Sequence, residues 1–469
     1  MSEKVVVRFC PSPTGPIHIG SVRTGLFVWL IAKQNKGKFI LRIEDTDKKR
    51  EIEGGVQIIK DTLQAVNLDW DEFALQSENK EVHKKYGQML YEKGLAYADN
   101  VTPEEVADWR NDAQSKKKPF LYRDYITTDR IVPWEYGKNA LRLKSNPKKY
   151  TWHDEVRGDL SSGPESIDDL VLIKADGLST YNFCHIVDDY EMGVTHIFRA
   201  DEFISSTPKY LNIYEALEIE HPKFVTLAPI MAENGKKKLG KRDGAKDVLE
   251  YLQDGVLVEG LLNFLALLGW NPGKGSKQEI FSIEELIKEF SIDGIGKSGA
   301  NYDIKRLEWI NGHHIRMKTV DELYELSEDF WSESANNSNE KYKKQVLTLI
   351  QERLKFLKEI PELTNFFFEE PNLTKEQLMD VKNLEDDFAK ELLESTLDTL
   401  QNSSFGVEDI QAKLNGLLEV HQTKPGILFA LIRNAVSGSR VTPGIADMLS
   451  VLGKDRVTKR INNSLKVMA

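Results

Sequence analysis

The 469 residues carry 63 Lys and Arg against 74 Asp and Glu, a net charge of −11, with 40% hydrophobic and 29% charged residues. Such proportions exclude a disordered or fibrous chain, and the length exceeds one compact core, suggesting roughly two to four domains. The start, Met1 to Arg8, lacks the apolar core of a secretory signal, and the longest apolar stretch, Val256 to Trp270, is broken by Glu259, Gly260 and Asn263, so no membrane span is expected. Two scattered cysteines, Cys10 and Cys184, make neither a disulfide framework nor a four-thiolate zinc site, which points to a reducing, cytoplasmic setting.

The acidic balance does not exclude a nucleic-acid partner, because phosphate contacts depend on local patches. Lys33, Lys36, Lys38, Arg42, Lys48, Lys49 and Arg50 form one such patch. Others lie at Lys116 to Lys118, Lys236 to Lys246 and Lys454 to Lys466. Charge runs are most often solvated faces, so composition alone leaves RNA binding open.

In chain order, Val5 to Phe9 is a β-branched run that predicts a buried strand, and Pro11, Pro13, Gly15 and Pro16 then break regular structure. Val22, Leu26, Trp29 and Leu30 place a helix from Ser21 to about Gly37, and Phe39 to Ile43 gives a second strand. This is a βαβ unit whose polar loop lies at the C-terminal ends of the strands, the edge at which open α/β sheets bind ligands. Helices are expected at Val56–Val66 and Glu81–Lys93. The capping box Thr102-Pro-Glu-Glu105 opens a region of different texture, with strand-like pieces at Ala140–Leu143 and Leu170–Lys174. The βα pattern resumes at Tyr181–Val187 and Val194–Phe198. Further capping boxes stand at Ser282…Glu285, Thr319…Glu322 and Thr374…Gln377, and Leu349–Ile360, Leu378–Leu400 and Ile427–Val436 carry helical periodicity. The fold expected is therefore α/β. It comprises a Rossmann-type parallel sheet (1–97 and 176–245) interrupted by an α+β insertion (98–175), a linking region (246–322) and an all-helical C-terminal region (323–469).

Four constellations carry chemistry. The first, Arg8-Phe-Cys-Pro-Ser-Pro-Thr-Gly-Pro-Ile-His18-Ile-Gly20-Ser21, delivers a loop into a helix N-terminus, where backbone N–H groups favour a nucleotide phosphate; alone it could be an ordinary βα turn. Lys236-Lys-Lys-Leu-Gly-Lys241-Arg242-Asp-Gly244 sets several cations on a glycine-containing loop that suits a leaving pyrophosphate, or is a solvated basic loop. Arg42-Ile-Glu44-Asp45-Thr46-Asp47 puts carboxylates at the ligand edge for an amino group or a metal, or caps a helix through Asp45 or Thr46. Tyr181-Asn-Phe-Cys-His185-Ile-Val-Asp188-Asp189, followed by Arg199-Ala-Asp-Glu202, frames another strand with two acidic pairs and an arginine.

Taken together, these strings resemble class I aminoacyl-tRNA synthetases, whose His-Ile-Gly-His and Lys-Met-Ser-Lys-Ser motifs bracket ATP. Four longer strings are similar to the glutamyl-tRNA synthetase family: Arg-Phe-x-Pro-Ser-Pro-Thr-Gly, Arg-Ile-Glu-Asp-Thr-Asp, Tyr-Asn-Phe-x-x-x-Val-Asp-Asp and Gly-Val-Thr-His-Ile-Phe-Arg. The resemblance runs nearly end to end, through Tyr302 to Gly312 and Val451 to Arg456. It implies an ATP- and Mg²⁺-dependent ligase that activates L-glutamate and esterifies it to tRNA, once tRNA is bound. It also implies a monomer with an acceptor-end insertion, a stem-contact region and a helical anticodon-binding region.

Carried over residue by residue, the resemblance gives Arg8 and Tyr181 the substrate's side-chain carboxylate, with Ser12, the Cys10 backbone and His185 in the same pocket. It gives Glu44 the α-ammonium and Arg199 a substrate carboxylate. His18, Gly20, Thr14, Ser21, Glu202 and the backbone near Met231 would bind ATP, with Lys238, Lys241 and Arg242 on its phosphates. Gln351 and Arg353 are candidates for the tRNA anticodon. Three positions depart from the pattern: Ser21 replaces the second histidine of the first motif, Gly240 stands where serine is usual, and His185 where relatives carry a small or amide residue. The segment that holds zinc through cysteines in some members, here about 101–125, has none, so no protein-bound zinc is expected. The helical last third argues against a truncated base-glutamylating paralogue and against a glutaminyl enzyme with β-barrels. Retention of His18 and Lys241 argues against a non-catalytic relative. The resemblance covers enzymes that charge the glutamate tRNA alone and enzymes that also charge the glutamine tRNA.

Overall fold

The computed structural model describes residues 4–47, 50–240, 246–273, 275–439 and 441–468. Two compact units divide the chain, one of Met1–Tyr251 with Leu261–Ile304, the other of Leu252–Gly260 with Lys305–Ala469.

The first unit opens as its sequence requires. Val-Val-Arg-Phe forms β1 (Val6–Phe9), followed by α1 (Ile19–Gln34) and β2 (Lys38–Ile43). Helix α1 buries Val22, Leu26, Phe27, Val28, Leu30 and Ile31, an apolar surface broader than the single stripe of an amphipathic helix. The chain reverses at Lys36, in the left-handed region, and Gly37. A Cβ at Gly37 would lie 2.2 Å from the Val5 carbonyl oxygen, so only glycine lets β2 return beside β1. Next come α2 (Gly55–Ala65), β3 (Glu72–Leu75), α3 (Lys80–Glu92), β4 (Ala96–Asp99), α4 (Pro103–Ser115), β5 (Ile131–Val132), β6 (Leu141–Leu143), β7 (Tyr150–Asp154), β8 (Gly158–Ser162) and β9 (Val171–Ile173). The unit continues through α5 (Tyr181–Glu191), β10 (His196–Ala200), α6 (Thr207–Leu217), β11 (Lys223–Leu227), β12 (Ile230–Met231) and β13 (Ala300–Asn301).

The main sheet has the order β3-β2-β1-β10-β11-β7-β8, parallel except for the β7–β8 hairpin at its edge. Strands β5, β4, β6 and β9 form a separate antiparallel sheet. Residues 150–162, grouped with the insertion on sequence texture, thus extend the parallel sheet. The Tyr181 string, expected to frame a further strand, is helix α5 and leads into β10; its Phe183, Ile186 and Val187 are buried at helical spacing.

The cysteine-free segment is held by more than aliphatic burial. Trp109 stacks on Tyr125 (5.6 Å between centroids) and meets Tyr122 edge-on (5.4 Å). The Arg142 guanidinium lies 3.6 Å over the Tyr122 ring. Arg130 grips both oxygens of Glu105 at 2.7 and 2.8 Å, and Glu105 itself closes the Thr102 capping box.

The second unit shows no strand among the described residues. The helices Glu340–Ile350, Ile360–Phe368, Asp386–Gln401, Val407–Val420, Pro425–Ser437, Ile445–Leu452 and Lys454–Met468 pack around Leu392, Leu393, Leu414, Leu431, Ile432 and Leu449. The capping boxes at Ser282, Thr319 and Thr374 are all formed. Two expected helices are broken. Leu349–Ile360 turns at Gln351–Arg353, where the Gln351 side chain bonds backbone carbonyls instead of continuing the helix. Leu378–Leu400 is interrupted by Asn383 in the left-handed region and starts afresh at Asp386. Met379, Val381 and Leu384 still pack on the core from a loop, so apolar spacing alone mimicked a helix there. Among the described residues no helix is long and apolar enough to cross a membrane.

Candidate active site

A cavity of about 490 Å³ opens at the C-terminal ends of β1, β2 and β10, lined by Arg8, Cys10, Ser12, Ser21, Thr24, Glu44, Tyr181, Arg199 and Phe203. Parallel strands end there and the chain turns into helices, so side chains from distant segments converge on one edge. Arg8, Cys10, Ser12, Ser21, Glu44, Tyr181 and Arg199, all expected at the site, meet at this cavity.

Beneath the cavity lies a lattice of buried charge. Arg8 sends Nε and Nη2 to the two oxygens of Asp189 (3.0 and 3.2 Å), and Arg42 sends Nη1 to Asp189 Oδ1 at 2.8 Å. Asp188 accepts from Gln76 Nε2 (2.9 Å) and Asn79 Nδ2 (2.9 Å) and pairs with His83 Nε2 (2.8 Å). Burial opposes both aspartates' charge, yet Arg8 and Arg42 hold the Asp189 carboxyl well below its usual range, and His83 and Arg42 do the same for Asp188. Arg8, on β1, thus pairs with an acid of α5 and not with the carboxylates that follow the neighbouring strand β2. Asp45 accepts from the Ser77 backbone N–H (2.8 Å) and hydroxyl (2.5 Å) and so fixes the turn after β3.

Glu44 stands at the edge of this pairing, with Arg42 Nη2 at 3.8 Å the nearest cation among the described residues. Burial pushes its carboxyl up to about 7, against the pull of Arg42 and Arg8. Arg199 is 8% exposed, and its Nη1 has no hydrogen-bond partner among the described residues. Its guanidinium lies over the rings of Tyr210 (5.1 Å) and Phe203 (5.5 Å), and among the described residues no acid reaches ion-pair distance. The Cys10 thiol is pushed up to about 11 by burial and stays protonated. His185 lies behind Tyr181, ring stacked on ring at 4.8 Å, with Nδ1–H donating to the Tyr181 carbonyl (2.6 Å). Burial and the Arg199 charge push its imidazole down to about 3, so it is neutral, and its buried Nε2 has no hydrogen-bond partner among the described residues.

The nucleotide motif is organised by His18, which caps α1: its Nδ1 accepts from the Gly20 N–H (3.2 Å), which leaves the ring's proton on Nε2. A Cβ at Gly20 would press on that ring at 3.1 Å. Thr14 is exposed in the preceding turn and does not line the cavity. Met231 begins a short hairpin whose arms join at Ala232–Lys237 and Ile230–Leu239, and its carbonyl accepts from Tyr302 N–H. Lys238 Nζ reaches Glu202 Oε2 at 3.3 Å, tying the basic loop to the loop after β10. Lys241 and Arg242 lie outside the described residues. Downstream of them, Val248 N–H donates to the Ile17 carbonyl and Asp247 pairs with His18 through a β-bridge, so the loop's far end is anchored on the first motif.

In the helical unit, Gln351 Nε2 donates to the carbonyls of Ile315 (3.0 Å) and Lys318 (2.8 Å), while Arg353 is exposed. Arg433 lines a cavity of about 290 Å³ with Asp380, Lys382 and Asn434; burial and the Arg353 charge lower its pKa. Arg42, Asp188 and Asp189 were missed as site residues, although all three stand inside the strings that carried the resemblance. The available signal was an Asp pair seven and eight residues after a cavity tyrosine on one helix.

The parallel sheet, the His-x-Gly turn, the lysine loop tied to Glu202 and the all-helical second unit are the features expected of a tRNA synthetase of class I. The family model of class I tRNA synthetases (E and Q), catalytic domain, matches residues 4–309, and that of an anticodon binding domain matches 311–465. The chain belongs to this glutamyl and glutaminyl family of class I tRNA synthetases. It is 37% identical to glutamate–tRNA ligase 1 of Caldanaerobacter subterraneus subsp. tengcongensis, over 99% of this chain and 98% of that one. It is 36% identical to the glutamate–tRNA ligase of Clostridium tetani, over 98% and 97%. The crystal structure of a glutamate tRNA ligase from Elizabethkingia meningosepticum, in complex with its amino acid, superposes with a TM-score of 0.90 at 30% identity, covering all of both chains.

Proposed function

We propose that this chain is a glutamate–tRNA ligase: it joins L-glutamate to ATP as glutamyl-adenylate, then passes the acyl group to the terminal ribose of tRNA. The observation that carries the substrate is the buried Arg199, whose Nη1 has no hydrogen-bond partner among the described residues, in one cavity with the Asp189-clamped Arg8 and with Glu44, whose contact with Arg42 is a long 3.8 Å. A cavity with cations at one place and Glu44 at another suits an acidic amino acid, whose carboxylates meet Arg199 and Arg8 and whose ammonium meets Glu44.

The substrate's α-carboxylate attacks the α-phosphorus of ATP, pyrophosphate leaves, and the tRNA hydroxyl then displaces AMP. No protein nucleophile is needed, in keeping with a protonated Cys10. Catalysis is positioning and electrostatics. His18, with its proton on Nε2, donates to a phosphate oxygen, the α1 N-terminus favours the same charge, and Lys238, Lys241 and Arg242 attend the pyrophosphate. Mg²⁺ would arrive on the nucleotide phosphates and neutralise part of their charge. The helical unit would hold the anticodon stem, with Arg353 and Gln351 nearby. The enzyme would act as a cytoplasmic monomer without bound zinc; among the described residues no His, Cys, Asp and Glu cluster could hold a metal.

The test is glutamate-dependent exchange of labelled pyrophosphate into ATP, with and without tRNA. Exchange with glutamate, dependent on tRNA, is expected. Exchange with glutamine instead would overturn the substrate, and exchange without RNA would overturn the tRNA requirement.

A further inference from the structure

Helix α5 turns one face toward the site: Tyr181, His185 and Asp189 follow at four-residue spacing and so stack along it. Tyr181 lines the cavity, His185 lies stacked behind it, and Asp189, fully buried, takes the side edge of Arg8. A guanidinium held through Nε and one Nη2 hydrogen keeps its end edge, Nη1 and the second Nη2 hydrogen, for another carboxylate. Asp189 is itself fixed by Arg42 Nη1 at 2.8 Å, and Arg42 is flanked by Asp188, which Gln76, Asn79 and His83 hold. Without this clamp, Arg8 has several rotamers and a strong reason to reach for any anion nearby, Glu44 included.

We infer that Asp189 is a positioning residue for amino-acid selection: it clamps the side edge of Arg8 and presents the end edge to the substrate's side-chain carboxylate. Selection of carboxylate over amide then depends on an acid that touches no substrate atom. This rests on the reading of Arg8 and Arg199 as the glutamate side of the cavity.

The test is Asp189→Asn, which keeps the shape and leaves one acceptor oxygen for Arg8 and Arg42 to share. Loss of one charge-assisted bond sets the scale: KM for glutamate should rise about tenfold or more, with KM for ATP changed less than about twofold, and the glutamate-to-glutamine preference should shrink about tenfold. Unaltered KM and preference in a folded Asp189→Asn protein, whatever its melting temperature, would reduce Asp189 to a structural counter-charge and overturn the inference. If the variant does not fold, the wild-type protein decides. The ¹⁵N-labelled Arg8 Nε–H, assigned by its loss in Arg8→Lys, should keep its shift and slow exchange when glutamate binds. An Nε–H that loses protection on binding means that Arg8 leaves Asp189 for the ligand, and overturns the inference as well. Absence of glutamate-dependent exchange in the wild-type enzyme would instead strike the glutamate reading itself.

Discussion

Arg8 and Arg199 carry the same charge in one cavity but differ in partner, and that difference separates their roles. Arg8 already shares Asp189, whereas Arg199 Nη1 has no partner among the described residues. An unpartnered buried cation gains most from a ligand carboxylate. Arg199→Met should therefore lower kcat/KM for glutamate about a hundredfold, the scale of a charged hydrogen bond lost in a desolvated site, without a large drop in melting temperature. Arg8→Met should lower both, because it strands Asp189 beside Arg42. Equal thermal losses in the two variants would contradict this division. Glu44 yields a pH dependence. Its carboxyl, raised by burial to about 7, must be ionised to hold an ammonium, so KM for glutamate should fall about tenfold from pH 6 to pH 8. For the free protein the sign is opposite. A carboxyl raised in the folded state adds stability that is full below about 4.5 and is lost as pH rises through about 7. Glu44→Gln should flatten the KM profile; a profile unchanged in that variant would assign the titration elsewhere. The sequence strings made Arg8, Glu44, Tyr181 and Arg199 legible as a group, but not that Asp189 rather than Glu44 or Asp45 pairs with Arg8, since that contact spans 181 residues and depends on where α5 packs.

At the scale of elements, local signals were legible and long-range ones were not. The Thr102, Ser282, Thr319 and Thr374 capping boxes form because each is closed by residues three apart. The breaks at Gln351 and Asn383 were hidden, because partly buried loop residues keep the apolar spacing of a helix. The 101–125 segment is held by two ring contacts of Trp109, the Arg142–Tyr122 stack and the Arg130–Glu105 fork. Aromatic pairs contribute about 0.5–1.5 kcal/mol each beyond area burial, so Trp109→Ala should destabilise this region by about 1–3 kcal/mol. A zinc chelator should leave its melting unchanged. Chelator-induced melting monitored by Trp fluorescence would show that a metal carries the load instead.

At the scale of the whole chain, residues 252–260 belong with the helical unit although they sit among residues of the sheet unit in sequence. Leu257 shows why: it is 4% exposed and packs with Ile315, Leu323, Leu347, Ile350, Leu354 and Leu357. The sequence showed a change of character near residue 245, but nothing in it marked nine residues as belonging to a unit that resumes at Lys305. A fragment ending at Arg316 keeps every strand of the main sheet and the cavity above it, and removes all of these Leu257 partners except Ile315. It should fold, expose Leu257 and aggregate, and charge tRNA at a small fraction of the whole chain's rate because the helical unit no longer holds the RNA. Leu257→Ser should then act with opposite signs in two contexts. In the whole chain it places a hydroxyl in an apolar cluster and should cost about 2–5 kcal/mol, the range for large-to-small core changes. In the fragment it removes an exposed apolar side chain and should raise solubility. Light scattering of the fragment and thermal melting of the whole chain, each with and without the substitution, measure the two signs. The same sign in both would mean that Leu257 packs within the sheet unit, and that the division of the chain at this segment is wrong.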